Sequence, residues 1–392
     1  MPDFDFSLGI ERITQIHQTA LRILAEFGIR CDHSRMAALL AGMGCRVAGD
    51  VIYIPAELVA ATLAAVPRRF KLYGRGGGRS VTVAAGGPTL RTNTGIFPNI
   101  YDFESGEVRR SVLRDVEEST RLLDALEQVD IVFVSLLDAT DVPPATVTLA
   151  GFAATVANTT KPLLGPGVTT REEAEAIIAM AAAIAPGDLN RFPTCAPFVC
   201  PITPLRFPAG IVDAVMAVAE AGLPLEVISN PVMGLTAPYT IAGTVALGHA
   251  ELLATAVMAH AIRPGLPMLN ATTPSVADMR TLASTTGGPE TGLLRRAVVE
   301  ISNHLGLPSC VHGHTSSSRL DVQAADEKAI NTCLLAGARP SLLGGLGALA
   351  NVTLTSYATL VHDNERFAAL RRIEDGVKVD EDRLAFDVIG RA

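Results

Sequence analysis

The segment PLEVISNP (residues 224–231), with TIAGTVALGHAELLATAVMAHAIR (240–263) and PMLNATTP (267–274) after it, decides the fold. A short apolar run after a proline reads as a buried strand, the long Ala- and Leu-rich stretch as a helix, and the second run as another strand. Two buried strands joined through a helix pair in parallel, because a parallel pair needs a crossover connection. The same rhythm extends outward on both sides. TLRTNTGIF (89–97), DIVFVSLLD (130–138), KPLLGPG (161–167) and PTCAPFVCP (193–201) precede the segment, and PSCVHGHT (308–315) and SLLGGLG (341–347) follow it. Helical stretches such as VLRDVEESTRLLDALEQV, TREEAEAIIAMAAAIA and RFPAGIVDAVMAVAEAG lie between them. Eight strand-like runs alternating with helices predict an α/β chain folded as a (β/α)8 TIM barrel over residues 88–392. A doubly wound sheet is the alternative, but no G-x-G-x-x-G follows the first run.

Residues 1–87 have a different texture. Ile10, Ile13, Ile16, Ala20, Ile23 and Leu24 recur at helical spacing, Ser34 to Leu40 continues as helix, and VIYIPAELVAATLAAVP reads as a short strand running into a helix. This part is expected to be a small N-terminal α+β cap. The 48% apolar and 18% charged content is that of a globular chain with a sizeable core. A net charge of −8 without a basic block argues against nucleic acid as a partner. The start, MPDFDFSLGIERITQ, has neither a basic n-region nor an apolar h-region, and no run reaches about 18 uninterrupted apolar residues, so the expectation is a cytoplasmic protein without a membrane segment. Six cysteines without a C-x-x-C pair read as reduced, mostly buried thiols.

In such a barrel the chemistry sits at the C-terminal ends of the strands. That rule selects Asn93, Thr94, Asp138, Gly165, Cys200, Ser229, Asn230, Thr272, Thr273, His312, His314 and Gly345. Amides, hydroxyls and glycines dominate, which suit orientation better than transition-metal ligation. His312 and His314 share one strand face, and with Asp138 or Asp321 they leave open a metal-dependent hydrolase or lyase. Ser316, Ser317 and Ser318 read as a capping loop rather than nucleophiles, since no G-x-S-x-G elbow is present. LLGGLGALANV (342–352) has the glycine content of a phosphate loop but no Lys or Arg.

The order of local motifs is informative beyond this. GIRCDHSRMAALL, VIYIPAELVAATLAAVPRRFKLYGR, IYDFESGEVRRSVLRDVEESTRLLDALEQVD, MGLTAPYTIAGTVALGHAELLA, RPGLPMLNATTPSVADMRT with GGPE, HLGLPS, DVQAADEKAINTCLLAGA and SYATLVHDNE follow one another along nearly the whole chain. The set resembles the trimethylamine methyltransferase family, including its members without pyrrolysine that act on quaternary amines such as glycine betaine. The resemblance implies a barrel that moves a methyl group from a small methylated amine to the Co(I) of a separate corrinoid protein, with no tightly bound cofactor and no metal of its own. A quaternary donor leaves as a neutral amine, so the step asks for alignment rather than a general acid. In the founding members pyrrolysine stands within the segment matching VHGHT; here Gly313 and His314 stand there, and these two are expected at the catalytic position. Methylated cations are held by aromatic faces and carboxylates. Accordingly His312, Asn93, Tyr101, Asp138, Phe198, Asn230, Tyr239, Thr272 and Glu290 are expected to bind the substrate, and Gly165, Gly234 and Gly345 to leave room for the corrinoid. His249 stands in GHAELLA where relatives more often have Asn. Family members usually run on past the segment matching RLAFDVI, so the chain is expected to lack their C-terminal extension. A homo-oligomer and a non-catalytic ligand-binding or assembly barrel of the same family are further expectations.

Overall fold

The computed structural model describes residues 6–102 and 104–391. Each of the eight apolar runs carries a strand: β1 (Leu90–Asn93), β2 (Val132–Phe133), β3 (Leu163–Gly167), β4 (Cys195–Val199), β5 (Leu225–Val227), β6 (Met268–Asn270), β7 (Cys310–His312) and β8 (Leu342–Leu346). A helix follows each in turn: α1 (Leu113–Ala125), α2 (Val147–Asn158), α3 (Arg171–Ile184), α4 (Ala209–Ala221), α5 (Ile241–Ile262), α6 (Pro289–Leu305), α7 (Val322–Ala336) and α8 (Tyr357–Glu374). One parallel sheet runs β6-β5-β4-β3-β2 and a second β7-β8-β1. Parallel bridges Thr92–Ile131 and Asn270–Ser309 join the two, so each strand has a parallel neighbour on both sides.

Alternation along the strands separates two cores. Leu163, Cys195, Leu225, Val227, Met268, Val311 and Leu343 pack outward against the helices. Leu164, Ala196, Leu269, Cys310 and Leu342 form the inner cluster, as a period of two requires. On β5 the inner position is held by Glu226, register partner of Phe198 and Leu269.

Residues before β1 brace this assembly. The hairpin Arg69–Tyr73 and Ser80–Ala84 adds Phe70, Leu72 and Val83 to the inner cluster. It is tied to the N-terminal ends of the strands by Tyr73 N–H to Pro193 O (2.8 Å) and Ser341 Oγ to Ala84 O (2.8 Å). The bottom of the inner core is therefore stoppered, and the strands' C-terminal ends are left for chemistry. α5 is long and apolar enough to cross a membrane, but 83% of its apolar window is buried inside the protein. The N-terminal helix Gly9–Arg22 packs against α5 and α6, which explains an apolar sequence on every face of α5.

Candidate active site

At the C-terminal ends of β1 and β7 a chain of side-chain hydrogen bonds crosses the interior. Arg295 of α6 is buried and meets no carboxylate; its Nη1 donates to His312 O (2.5 Å) and His314 Nδ1 (3.1 Å), and its Nε to Pro274 O (3.2 Å). A guanidinium only donates, so His314 Nδ1 accepts and the neutral ring carries its proton on Nε2. Nε2–H then donates to Thr94 Oγ1 (3.1 Å), the Thr94 hydroxyl to His312 Nδ1 (2.9 Å), and His312 Nε2–H to Cys310 Sγ (3.5 Å). The arginine fixes the His314 tautomer, and with the Thr94 hydroxyl donating onward the chain runs in one direction. Burial lowers the His312 imidazole to about 3 and holds His314 well below its ordinary value, with Arg295 adding to both. Both rings are neutral, stacked 5.4 Å apart, with all four nitrogens engaged. They are orienting groups without a free lone pair for proton transfer.

Beside them, Phe133 stacks on Phe198 at 5.6 Å and meets the His312 ring edge-on at 6.5 Å. Glu226 shares this interior. Its side chain is fully buried and neither carboxylate oxygen has a hydrogen-bond partner. Desolvation pushes its carboxyl up to about 8; the nearby Gly165 amide pulls the other way without completing a hydrogen bond. Its charge reaches Cys200 and Cys310, whose thiols burial already raises.

Three carboxylates fix the surrounding loops. Glu251 of α5 accepts from Ser229 Oγ, Thr203 Oγ1 (2.8 Å) and Leu205 N–H (2.8 Å), tying the β4 and β5 loops to one helix. Glu327 accepts from Thr315 Oγ1 (2.6 Å) and Ser316 N–H (2.7 Å) after β7. Asp363 of α8 is fully buried and accepts from Lys328 Nζ (2.7 Å), Arg366 Nη1 (2.7 Å) and Gly347 N–H (2.9 Å). The two cations hold its carboxyl down at about 2. The Gly347 amide that a phosphate would seek is thus already taken by a carboxylate, which corrects the phosphate-loop expectation.

Of the expected site residues, His312, His314 and Phe198 meet in the interior. The remainder are placed otherwise. A Cβ at Gly313 would lie 2.6 Å from Thr332 Oγ1, so this position faces α7 and not the site. The Asn93 side chain donates to Phe133 O (2.9 Å) and accepts from Phe133 N–H (2.9 Å), serving as the backbone link between β1 and β2. Thr272 turns its methyl to Gly248 of α5. Asp138 is half-buried in the loop after β2, held by its backbone to Phe97 and Ser111. Asn230, Tyr239 and Glu290 are exposed, the first two in the loop between β5 and α5 and the third in the first turn of α6, and Asn230 Nδ2 lies 3.8 Å from Cys200 Sγ. The three glycines expected to leave room for a corrinoid all have a positive φ and close neighbours. Gly345 (φ 120°) has Gly313 O 2.3 Å from its would-be Cβ, Gly234 (φ 90°) lies under Tyr239, and Gly165 (φ 71°) under Phe198. His249 bonds to His17 of the N-terminal helix (2.9 Å), a packing contact. The helix cap after β7 is Asp321, which accepts from Ala324 N–H and Ser317 Oγ; the serines support it.

Tyr101 lines a separate cavity of about 1080 Å³ at the rim, with Arg109, Arg114, Arg319 and Tyr357. Thr94 is where strand-end reasoning placed it; Glu226 and Arg295 were missed. Glu226 had a signal: a lone carboxylate between Leu225 and Val227 inside a run read as buried. Arg295 had none, since arginine is ordinary on an amphipathic helix.

Among the described residues no group of three or more His, Cys, Asp or Glu is arranged to hold a metal ion. Fold and site together define a parallel α/β protein with two neutral, fully hydrogen-bonded histidines at its strand ends. The chain belongs to the family described as trimethylamine methyltransferase (MTTB), whose model matches residues 3–392, and it is a methyltransferase. It is 28% identical over 384 residues to the trimethylamine methyltransferase MttB of Desulfitobacterium hafniense (strain DSM 10664 / DCB-2), covering 97% of this chain and 77% of that protein. To the glycine betaine methyltransferase of D. hafniense (strain Y51) it is also 28% identical, covering 97% and 79%. Its fold is that of the monomethylamine methyltransferase MtmB of Methanosarcina barkeri, at a TM-score of 0.65 and 14% identity over 94% of this chain and 76% of that one.

Proposed function

We propose that this protein is a (β/α)8 barrel that transfers a methyl group from a small quaternary amine of the betaine type to the Co(I) of a separate corrinoid protein. The unbroken run of parallel neighbours around the eight strands supports the barrel. Residues 1–87 are its stopper and side brace, 88–392 the barrel itself. The burial of the one helix long and apolar enough to cross a membrane among the described residues suits a cytoplasmic protein.

One observation carries the chemistry: the strand ends converge on two histidines locked neutral, with every nitrogen engaged. Such a site suits a reaction in which the N–CH3 bond breaks, the methyl carbon bonds to cobalt and the nitrogen keeps the electron pair. With a quaternary donor no proton moves, and the enzyme's task is to aim that bond. His314 and His312 are positioning residues in this scheme, and the corrinoid is a second substrate brought by its own protein.

The test is methylcobalamin formation from cob(I)alamin with a panel of betaines and methylamines, alongside calorimetric binding. Turnover of a quaternary donor is the expected result. Ligand binding without turnover would favour a non-catalytic relative on the same barrel, and neither binding nor turnover sinks the proposal. Stoichiometric zinc in the purified protein would revive the hydrolase or lyase reading.

A further inference from the structure

We infer that Glu226 is the counter-ion for the substrate's positively charged nitrogen, with Phe198 and Phe133 as the apolar walls beside it. This deepens the function proposed above and rests on it.

Six of the other strands supply a buried apolar residue to the inner cluster, and β5 supplies a carboxylate. Both its oxygens lack a hydrogen-bond partner, although side chains such as Thr94, His312 and Asn270, with comparable burial, are all bonded. A buried carboxylate with no cation, no donor and no metal partner is unfavourable by several kcal/mol in general, and is retained in a fold when something else supplies the opposite charge. No Lys or Arg ion pair is made by Glu226, and Arg295, the buried guanidinium of this interior, is committed to His312, His314 and Pro274. Within the chain the carboxyl is neutralised only by its own proton, and its ionised form calls for a cation from outside.

The surroundings select its kind. A metal ion would want further oxygen, nitrogen or sulfur donors converging on it. Instead Phe198 is the register partner of Glu226, its ring lies over Gly165 and Gly167, and Phe133 stacks behind it. Cys200 and Cys310, two titratable groups that the carboxylate acts on, are thiols whose burial keeps them neutral. One carboxylate among aromatic faces and soft, uncharged groups fits an organic cation whose charge is spread over methyl groups and which brings no hydrogen-bond donor. That matches the two bare oxygens of Glu226 better than a primary ammonium, which would need three acceptors. Desolvation keeps the carboxyl reluctant to ionise while the site is empty, and a permanent cation supplies the charge that lets it do so.

The experiment compares each quaternary ammonium compound with the analogue in which a neutral carbon replaces the charged nitrogen: glycine betaine against 3,3-dimethylbutanoate, each keeping its carboxylate, and choline against 3,3-dimethylbutan-1-ol. Binding is measured by calorimetry to the wild type and to Glu226→Gln, which keeps the shape of the side chain and removes its charge; thermal melts report folding. The wild type is expected to prefer the cation of at least one pair by tenfold or more, and Glu226→Gln, folded, to lose that preference. A wild type that binds cation and analogue equally overturns the inference while leaving the methyltransferase reading intact. So does a folded Glu226→Gln that keeps the preference. A wild type that binds no cation, and transfers no methyl group from any donor of the panel above, overturns both. Should Glu226→Gln fail to fold, Glu226→Asp, which retains the charge at a shorter reach, is expected to keep the preference and Phe198→Leu to weaken it.

Discussion

Thr94 is the hinge of the hydrogen-bond chain, and Thr94→Val isolates it. Valine has nearly the shape of threonine, so packing is retained while one donor and one acceptor vanish. His314 Nε2–H then loses its acceptor and His312 Nδ1 its donor, in rings that are 3% and 7% exposed. A buried polar group left unpaired costs about 1–3 kcal/mol, so the two together cost about 2–6 kcal/mol. With an unfolding entropy of ~2.1 cal/mol/K per residue, a chain of this length loses about 2–7 °C in melting temperature. Thr94→Ser keeps the hydroxyl and gives up one methyl, so it should lie well above the valine variant. The assay is thermal unfolding of the three proteins at pH 7, with nitrogen-15 spectra of the histidines. In the wild type both rings should show the Nε2–H tautomer, and in Thr94→Val the His312 assignment should no longer be fixed. Equal melting temperatures for the valine and serine variants would refute the directional chain, as would an Nδ1–H tautomer for His314 in the wild type.

Asp363→Asn leaves Lys328 and Arg366 buried without their counter-charge and should cost about 3–5 kcal/mol, whereas adding Lys328→Met to it should recover part of the loss; denaturant melts of the single and double variants decide. Because the Asp363 carboxyl is held at about 2, its contribution is present above its ordinary pKa and disappears as the pH falls towards 2, so acid unfolding of Asp363→Asn should be shallower than that of wild type. Glu226 has the opposite sign. Its carboxyl is raised from 4.5 to about 8, so the folded state holds a proton that the unfolded state has released, and stability falls as the pH rises through that window. Glu226→Gln should flatten this slope, which is at most about 1.4 kcal/mol per pH unit, in melts taken between pH 5 and 7.5. Gly345→Ala, at φ 120° with a backbone oxygen 2.3 Å from the new Cβ, should cost upward of about 3 kcal/mol or prevent folding; Gly42→Ala, with nothing within 4 Å, should be near neutral.

The strands were legible because buried parallel strands are short apolar runs with sharp ends, and all eight runs from residue 89 to 347 carry one. The pair His312 and His314 was legible for a related reason: His312 ends β7, His314 lies two residues on, just past the strand, and the two rings still stack in the interior. The polar residues beyond the strand ends were harder. Tyr239, Asn230 and Glu290 are chemically suited to a cation but are exposed, and the burial of a loop residue is not written in its type. Asn93 was misassigned because an amide can replace a peptide group in strand pairing as readily as it can hold a ligand. Glycines at 165, 234 and 345 share a similar ambiguity: a positive φ and a close backbone approach demand glycine as firmly as an open pocket does.

The amino-acid order by itself determined the alternation of strand and helix and the parallel pairing that follows from it. Those are consequences of local periodicity and crossover length, which neighbouring residues along the chain set. The partners of the buried charges were decided only by the tertiary structure. Arg295 turned out to orient two histidines, Asp363 to answer two cations, and Glu226 to have no partner at all. Electrostatic pairing depends on which groups distant segments bring within a few ångströms in a low-dielectric interior, and that is a property of the packed molecule.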